Sequence, residues 1–262
     1  MMKQPIGIFD SGVGGLSIWK EITQLLPFEN TIYLADSKNA PYGEKSKEEI
    51  TQLCIKNTNI LLEMGCKIIV VACNTATTNA IDILRNTYDV PFIGIEPAIK
   101  PATLKTKTNT IGILATKGTL TSRLFAETSE KYNTGITVVE TVATGLVPLI
   151  ENNNRDSTAM ETLLEHYLHP MLAKKIDCLV LGCTHYPFLI PQIKKITGSS
   201  VEIIDSGLAV ARQTKAILQK NNCLYTTKTI PEHHIYSNTN VATIKSLLAN
   251  ELHHTELHLK KF

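Results

Sequence analysis

The sequence is poor in charge and has no long apolar run, and these two absences narrow the classes of protein that it can encode. Charged residues make up 19% of the 262, and 26 Lys and Arg against 24 Asp and Glu leave a net charge of +2. Because so small a net charge does not attract polyanions, nucleic-acid binding is not expected. No apolar run approaches the roughly 18 residues that span a bilayer, and a strand-like segment follows residues 1–4 directly. We therefore expect a soluble, cytoplasmic protein with neither a signal peptide nor a membrane span.

Cysteine does not occur in the patterns that mark disulfide scaffolds, zinc sites or thioredoxin-like redox sites. The chain has 6 cysteines, and none of them forms a Cys-x-x-Cys pair. By default each is expected to be a small, reduced residue of the hydrophobic core. A cysteine with another role has to be identified by its place in the fold.

Histidine is concentrated towards the C-terminal end, at positions 233, 234, 253, 254 and 258. No cysteine or acidic cluster accompanies these residues at the spacing typical of a metal site. We therefore expect them to lie on solvated polar faces, and we expect no bound metal.

The apolar residues, 43% of the chain, follow an α/β pattern. The length suits one large domain or two of about 100–150 residues. Short β-branched runs alternate with stretches of helical period, which is typical of a parallel α/β fold. A capping box at Ser46 and Glu49 predicts the start of a long helix between two of the strands. The pattern predicts strands at 6–9, 31–34, 68–72, 92–95, 110–114, 136–139 and 178–181, and further helices at 18–26, 119–131, 208–218 and 244–248.

The second half of the chain repeats the pattern of the first. Ile-Gly-Ile-Phe at 6–9 aligns with Ile-Gly-Ile-Leu at 111–114, and Val-Val-Ala-Cys-Asn-Thr at 70–75 aligns with Val-Leu-Gly-Cys-Thr-His at 180–185. Two matches in the same order indicate a duplicated α/β unit.

Each repeat has a cysteine immediately after a buried strand, Cys73 in the first and Cys183 in the second. Ligands bind at the carboxyl edge of a parallel sheet, and a helix N-terminus there can lower a thiol pKa from ~8.5 into the range ~3.5–7.5. Either thiol alone is equally consistent with a buried structural cysteine, as expected for Cys66 and Cys178. As a matched pair across one cleft, they are suited to removing a proton from one face of a carbon and returning one to the other.

Four strings carry a resemblance to a known family: Ile-Phe-Asp-Ser-Gly-Val-Gly-Gly-Leu at 8–16, Pro-Tyr-Gly at 41–43, Ala-Cys-Asn-Thr-Ala at 72–76 and Gly-Cys-Thr-His-Tyr-Pro at 182–187. Their order and spacing resemble the aspartate/glutamate racemase family over nearly the whole chain, and the first string is similar to its glutamate branch. The resemblance implies a cofactor-independent enzyme that interconverts L- and D-glutamate and supplies D-glutamate for peptidoglycan. It further implies a homodimer of chains with two pseudo-symmetric flavodoxin-like domains, 1–97 with 207–262 and 98–206, and an active site in the interdomain cleft.

The same resemblance assigns roles to individual residues. It implies that Cys73 takes the α-proton from D-glutamate and that Cys183 takes it from L-glutamate. Sheet order places Asp10 beside Cys73, where its carboxylate could orient the thiol or receive its proton. His185, two residues after Cys183, and Glu151, which matches a family acid, are expected to support the second base. The resemblance places the following residues at the substrate: Asp10, Ser11, Pro41, Tyr42, Gly43, Asn74, Thr75, Thr184 and His185.

Other functions remain open at this point. The glycines at 12, 14 and 15 are not spaced as in a dinucleotide-binding loop, so a close turn facing the cleft is favoured over nucleotide binding. A racemase for aspartate or another small acid would share the chemistry, whereas decarboxylases of the wider group tend to keep one of the two cysteines. A two-lobed periplasmic-type binding protein would share the cleft but would require a secretory leader and no matched thiols.

Overall fold

The computed structural model describes residues 4–132, 135–249 and 251–262. Residues 1–3, which precede the first predicted strand, lie outside the described residues. Along the first part of the chain run β1 (Ile6–Asp10), α1 (Leu16–Leu25), β2 (Thr31–Ala35), α2 (Lys47–Glu63), β3 (Ile68–Val71), α3 (Asn74–Thr87), β4 (Phe92–Gly94) and α4 (Ile99–Lys105). The second part contains β5 (Thr110–Ala115), α5 (Lys117–Leu120), α6 (Arg123–Tyr132), β6 (Thr137–Val142), α7 (Leu146–Glu151), α8 (Thr158–Ala173), β7 (Cys178–Gly182), α9 (Ile190–Thr197) and β8 (Glu202–Ile204). The last part contains α10 (Gly207–Lys220), β9 (His233–Ser237), α11 (Ala242–Leu247) and β10 (Thr255–Leu259).

The strands form a six-stranded sheet in the order β10-β9-β2-β1-β3-β4 and a four-stranded sheet in the order β6-β5-β7-β8. All neighbouring strands in both sheets are parallel. In each half the first strand lies between the second and third, which is the order expected of the flavodoxin-like domains that the family resemblance implies. The α/β class and the two parallel sheets are thereby confirmed.

The strand register supports the duplication. Phe9 pairs with Val71 in the first sheet, and Leu114 pairs with Leu181 in the second. Cys73 and Cys183 each follow their paired residue by two positions, so they occupy equivalent places at the carboxyl ends of β3 and β7. All residues of these two strands are buried, because helices cover both faces of each parallel sheet.

One predicted helix is wrong in its extent. The segment predicted as a helix over 119–131 is two helices, α5 and α6, separated at Thr121 and Ser122. Ser122 Oγ accepts a hydrogen bond from the Phe125 N–H at 3.3 Å, so its side chain caps α6 and ends the preceding turn. The strand predicted at 136–139 begins one residue later and extends to Val142, because β6 pairs with the whole of β5.

The C-terminal segment returns to the first half. Strands β9 and β10 extend the six-stranded sheet beyond β2, and α10 packs against α1. Residues on α10 such as Ala211 and Leu218 are buried in the same core cluster as Trp19 of α1. The predicted helices at 208–218 and 244–248 correspond to α10 and α11. Within the described ranges, no helix is both long and apolar enough to cross a membrane.

Candidate active site

The carboxyl ends of the two sheets meet at one small cavity. Its walls come from both halves of the chain: Ser11, Pro41, Tyr42, Gly43, Cys73, Asn74 and Thr75 from the first, and Thr116, Val147, Cys183, Thr184 and His185 from the second. The cavity volume is about 10 Å³, which is room for about one water molecule. The structure therefore brings the two matched cysteines to one enclosed space.

Cys73 lies at the N-terminus of α3, where it acts as the helix cap. Its Sγ accepts a hydrogen bond from the Ala76 N–H at 3.4 Å and lies 3.7 Å from Ser11 Oγ. Burial raises the pKa of this thiol well above its ordinary value, and the nearby Asp10 raises it further. The expectation that the helix N-terminus lowers the pKa of Cys73 is therefore wrong, because burial and a carboxylate outweigh the hydrogen bonds that favour a thiolate.

Asp10 is fully buried at the end of β1. Its Oδ2 accepts hydrogen bonds from the Gly12 and Gly15 N–H groups at 3.3 and 2.8 Å, and its Oδ1 accepts one from the Thr184 hydroxyl at 3.4 Å. Burial raises the pKa of Asp10, and the charge of His185 opposes that shift. Asp10 thus shapes the loop after β1, borders Cys73 and links the first half to Thr184 of the second.

Cys183 has a different set of partners from Cys73. It precedes a short 3₁₀ helix, Tyr186–Leu189, rather than the first turn of an α-helix, so the expectation of a helix N-terminus at this thiol is wrong. Instead, its Sγ lies 3.8 Å from His185 Nδ1, and His185 Nε2 lies 2.6 Å from Glu151 Oε1. A cysteine, a histidine and a carboxylate in line form the arrangement by which proteins orient an imidazole and activate a thiol.

The protonation of His185 and Glu151 supports an ion pair. Burial lowers the pKa of His185, but its hydrogen bonds and charge interactions with Cys183 and Glu151 outweigh burial, so the pKa is raised well above 6.5. Burial also acts to raise the pKa of Glu151, but His185, Ser37 and the Val13 N–H stabilise the carboxylate, so that pKa is lowered. The charged imidazole therefore lies between the Glu151 carboxylate and the Cys183 sulfur.

Glu151 joins the two halves directly. It lies at the end of α7, yet its Oε1 accepts from the Val13 N–H and its Oε2 accepts from the Ser37 hydroxyl, both at 2.7 Å. A Cβ added to Gly12 would lie 1.9 Å from Glu151 Oε1, and one added to Gly14 would lie 2.2 Å from His185 Nδ1. The glycine-rich loop is therefore a surface on which side chains of the second half pack.

Asn74 and Thr75 follow Cys73 on the cavity wall. Asn74 is 2% exposed, and neither its side-chain oxygen nor its nitrogen has a hydrogen-bond partner among the described residues. Buried polar groups are nearly always hydrogen-bonded, so this amide is suited to a ligand that enters the cavity. The Thr75 hydroxyl instead bonds those of Thr116 at 2.8 Å and Thr119 at 3.2 Å, which closes the two halves against each other.

Tyr42 lines the cavity with its ring, and its hydroxyl points to a buried network. That hydroxyl donates to Asp36 Oδ2 at 2.6 Å and accepts from Asn57 Nδ2 at 3.2 Å, and Asp36 Oδ1 accepts from Asn238 Nδ2 at 2.5 Å. Burial, with the charge of Asp36, raises the pKa of Tyr42 well above its ordinary value.

Sequence reasoning missed several residues of this region: Asp36, Asn57, Asn238, Thr116 and Val147. Asp36, Asn238 and Thr116 carried a usable signal, because they directly follow β2, β9 and β5 at the carboxyl edges of the two sheets. Asn57 and Val147 lie on helices α2 and α7 and carried no such signal.

Three of the remaining four cysteines and one histidine occupy the core, whereas Cys223 is half-buried. Cys54, Cys66 and Cys178 are buried, as predicted, and burial raises the pKa of Cys66 to about 12 and that of Cys178 to about 11. His233 is not solvated, contrary to expectation. It is 6% exposed, its Nδ1 lies 2.9 Å from Thr31 Oγ1, and burial lowers its pKa to about 4.

Comparison with known proteins gives a consistent result. The family model described as Asp/Glu/Hydantoin racemase matches residues 6–214. A glutamate racemase of Ectopseudomonas mendocina is 47% identical over 223 residues, which are 85% of each chain. A glutamate racemase isoform of Bacillus anthracis superposes with a TM-score of 0.87 at 31% identity, over 99% of this chain and 98% of that one. Escherichia coli glutamate racemase, solved in complex with L-glutamate and the activator UDP-MurNAc-ala, gives a TM-score of 0.85 at 31% identity over 99% of both chains.

Proposed function

This chain belongs to the Asp/Glu/Hydantoin racemase family and is an isomerase that acts on amino acids, and we propose that it interconverts L- and D-glutamate by proton transfer at Cα between two cysteines. Glutamate as the substrate is supported by relatives such as the glutamate racemase of Ectopseudomonas mendocina and by the L-glutamate bound to the Escherichia coli protein. The observation that carries the mechanism is that Cys73 and Cys183, from opposite halves of a duplicated fold, line the same cavity.

In the direction from L-glutamate, the Cys183 thiolate takes the α-proton and becomes a thiol. The electron pair of the broken C–H bond is delocalised into the α-carboxylate, and the Cys73 thiol then protonates the opposite face of Cα. The products are D-glutamate, a Cys73 thiolate and a Cys183 thiol, so mass and charge balance. The reverse direction uses the same steps with the two roles exchanged.

The unequal surroundings of the two thiols support this order of events. Burial and Asp10 raise the pKa of the Cys73 thiol, whereas Cys183 lies beside the imidazole of His185, which Glu151 helps to keep charged. In this scheme the two thiols exchange protonation states once per turnover. Glu151 is a positioning residue in this scheme, since it acts on the reacting sulfur through His185.

The polar groups on the cavity wall supply the electrostatic stabilisation that such a reaction needs. The α-proton of an amino acid is weakly acidic, so charge that develops on the α-carboxylate must be met by donors that are already in place. Asn74, whose buried amide has no hydrogen-bond partner among the described residues, and the Ser11 hydroxyl are the donors that we assign to substrate binding. Thr184, whose hydroxyl donates to Asp10, lies on the same wall and is assigned as a further substrate contact. The ring of Tyr42 and the backbone of Pro41 and Gly43 complete the wall over the substrate.

Glutamate binding requires the two halves to separate. A cavity of about 10 Å³ does not hold a five-carbon dicarboxylate. Pro41 and Gly43 also border a second cavity of about 30 Å³ beside Thr116 and Val147, which we assign as the entrance. The hydroxyl contacts of Thr75 with Thr116 and Thr119 are then broken as the substrate enters.

The proposal includes the cellular setting and the assembly. We assign two domains, 1–97 with 207–262 and 98–206, a division supported by the membership of the two sheets. We further assign a cytoplasmic homodimer that supplies D-glutamate for peptidoglycan, as the resemblance of the sequence implies.

The test is racemisation by the purified protein without added pyridoxal phosphate. Either enantiomer of glutamate should lose its circular dichroism, and in heavy water the α-proton should exchange with solvent. Cys73→Ala should abolish racemisation, while Cys223→Ala, at a half-buried thiol that bonds Leu218 O, should retain it. Robust turnover by the Cys73→Ala/Cys183→Ala variant would overturn the mechanism, and a panel of glutamate, aspartate and glutamine tests the substrate.

A further inference from the structure

Three potential metal ligands meet on one face of the six-stranded sheet, in its last two strands. Strand β9 carries His234, and strand β10 carries Glu256 and His258. The parallel register pairs His234 with Glu256 and Tyr236 with His258. Because alternate residues of a strand point to the same face, all three potential ligands project together.

The ligand atoms form a nearly equilateral triangle. His234 Nδ1 lies 3.2 Å from His258 Nε2, and Glu256 Oε2 lies 3.5 Å from each of these nitrogens. Metal bonds of ~2.0–2.2 Å in a tetrahedral zinc site place two ligands roughly 3.3–3.5 Å apart, whereas right-angled coordination would bring them to roughly 3.0 Å. The observed separations match three corners of a tetrahedron.

The side chains are held in place but leave one side open. The His258 ring stacks on Tyr236 with 4.5 Å between ring centroids and an interplanar angle of 17°. The side chains of His234 and His258 are 30% and 33% exposed, and that of Glu256 is 69% exposed. Stacking and partial burial limit the freedom of the rings, while the exposed side leaves the fourth position to water.

We infer that His234, Glu256 and His258 form a zinc site that joins strand β10 to strand β9. Two imidazole nitrogens with one carboxylate suit Zn²⁺, whereas Mg²⁺ and Ca²⁺ prefer oxygen ligands. None of the three residues lines the cavity that contains Cys73 and Cys183. The bound ion would therefore stabilise the outer edge of the first sheet without entering the racemisation reaction, and this inference stands apart from the proposed function.

The structure brings His234 and His258 side by side, which their sequence spacing does not predict. Sequence spacing identifies at most Glu256 and His258, two residues apart on one strand. His234, the third ligand, is separated from Glu256 and His258 in the sequence by a helix and two loops. Only the register of β9 with β10 brings it to them.

The test is a calorimetric titration of the metal-free protein with ZnCl₂. To remove competing thiol ligands, it is done in the Cys73→Ala/Cys183→Ala variant. One equivalent of Zn²⁺ should bind, and Co²⁺ in its place should give the visible absorption of a tetrahedral ion. At a zinc concentration 100 times the Kd, the folding equilibrium should shift about 100-fold and the melting temperature should rise.

Matched substitutions distinguish this site from other zinc-binding groups. His234→Ala and the conservative, exposed Glu256→Gln should each weaken Zn²⁺ binding at least tenfold and remove the rise in melting temperature. His253→Ala, at an exposed histidine in the turn before β10, should change neither. Zinc binding that is equally strong in Glu256→Gln and His234→Ala, or the absence of one-to-one binding in the parent protein, would overturn the assignment.

Discussion

His185 Nε2 lies 2.6 Å from Glu151 Oε1, and this pair of the second half lies beside the second cysteine, where Glu151 also contacts the first half. The side chain of His185 is 1% exposed and that of Glu151 is 12% exposed, so water screens their interaction little. Through this contact a carboxylate at the end of α7 orients the imidazole that meets Cys183. The same carboxylate binds the loop after β1, so one side chain serves both the contact between the halves and the orientation of the imidazole.

Glu151→Gln is expected to slow racemisation because it removes the charge that keeps His185 protonated. Loss of one supporting acid–base interaction should lower kcat/KM by about 10²-fold. The loss of kcat/KM must be equal in both directions, because the equilibrium constant for the interconversion of two enantiomers is one. Initial rates from each enantiomer measure it, and α-deuterated L-glutamate should show a larger isotope effect than in the parent enzyme.

Glu165→Gln, at an exposed carboxylate on α8, serves as the control and should leave the rates unchanged. An unchanged kcat/KM in Glu151→Gln would show that His185 does not depend on this carboxylate.

The stability of the protein is expected to fall as the pH rises through the raised pKa of His185. Folding favours the protonated imidazole, so the native state binds more protons than the unfolded state above pH ~6.5. The stabilisation is complete below that pH and is lost as the native group deprotonates. Urea unfolding measured at intervals of pH should show this negative slope in the parent protein.

The slope should be smaller in His185→Gln, which has no titrating group at this position. Buried thiols such as Cys73 also have raised pKa values and lose stabilisation at still higher pH, so the comparison belongs below about pH 8.5. Identical slopes in the two proteins over that range would contradict the raised pKa of His185.

Asn74→Ala is expected to reduce activity without reducing stability. The amide of Asn74 has no partner in the described part of the chain, so its removal breaks no hydrogen bond of the free protein. If it donates to a substrate carboxylate, its loss should lower kcat/KM by about 10- to 100-fold, the effect of about 1.5–3 kcal/mol. Thermal unfolding and initial rates on the same preparation measure both quantities.

Asn79→Ala provides the contrast on the same helix. Asn79 Nδ2 donates to Thr75 O at 2.8 Å and to Gly118 O at 3.2 Å, so this variant should lose stability. A loss of stability in Asn74→Ala as large as that in Asn79→Ala would show that the Asn74 amide has a structural partner.

Gly14→Ala is expected to displace His185, because the new methyl group would lie 2.2 Å from its Nδ1. Overpacking of a buried contact of this kind costs about 1–3 kcal/mol of stability. A double-mutant cycle with His185→Ala checks the cause, since the smaller side chain relieves the clash. If the losses of stability in the double variant are additive, the strain in Gly14→Ala does not come from contact with His185.

Much of the fold was predictable from local patterns. Strands such as β3 and β7 are buried on both faces, so their apolar runs identify them directly, and the capping box at Ser46 and Glu49 is present in the structure as predicted. The break between α5 and α6 was missed, because a capping Ser122 inside an amphipathic stretch does not interrupt its periodicity.

The candidate site was predictable in its position but not in its electrostatics. The place of Cys73 and Cys183 after equivalent strands predicts that both lie at one cleft, and both line the same cavity. The raised pKa of Cys73 was not predictable, since it depends on burial and on Asp10 from another strand. The partners of Glu151 were equally hidden, because Val13 and Ser37 belong to loops of the other half.

The α/β class, the duplicated order of strands and the pair of cysteines at their ends can be read from local patterns, because they depend on periodicity and on the position of a residue relative to its own strand. Coordinates are needed to show which thiol meets an imidazolium, which thiol meets a carboxylate, and that His234 meets Glu256 and His258. The physical reason is that a pKa and a metal site both depend on charges and lone pairs a few ångströms apart. Those distances are set by sheet register and by the packing of segments far apart in the chain.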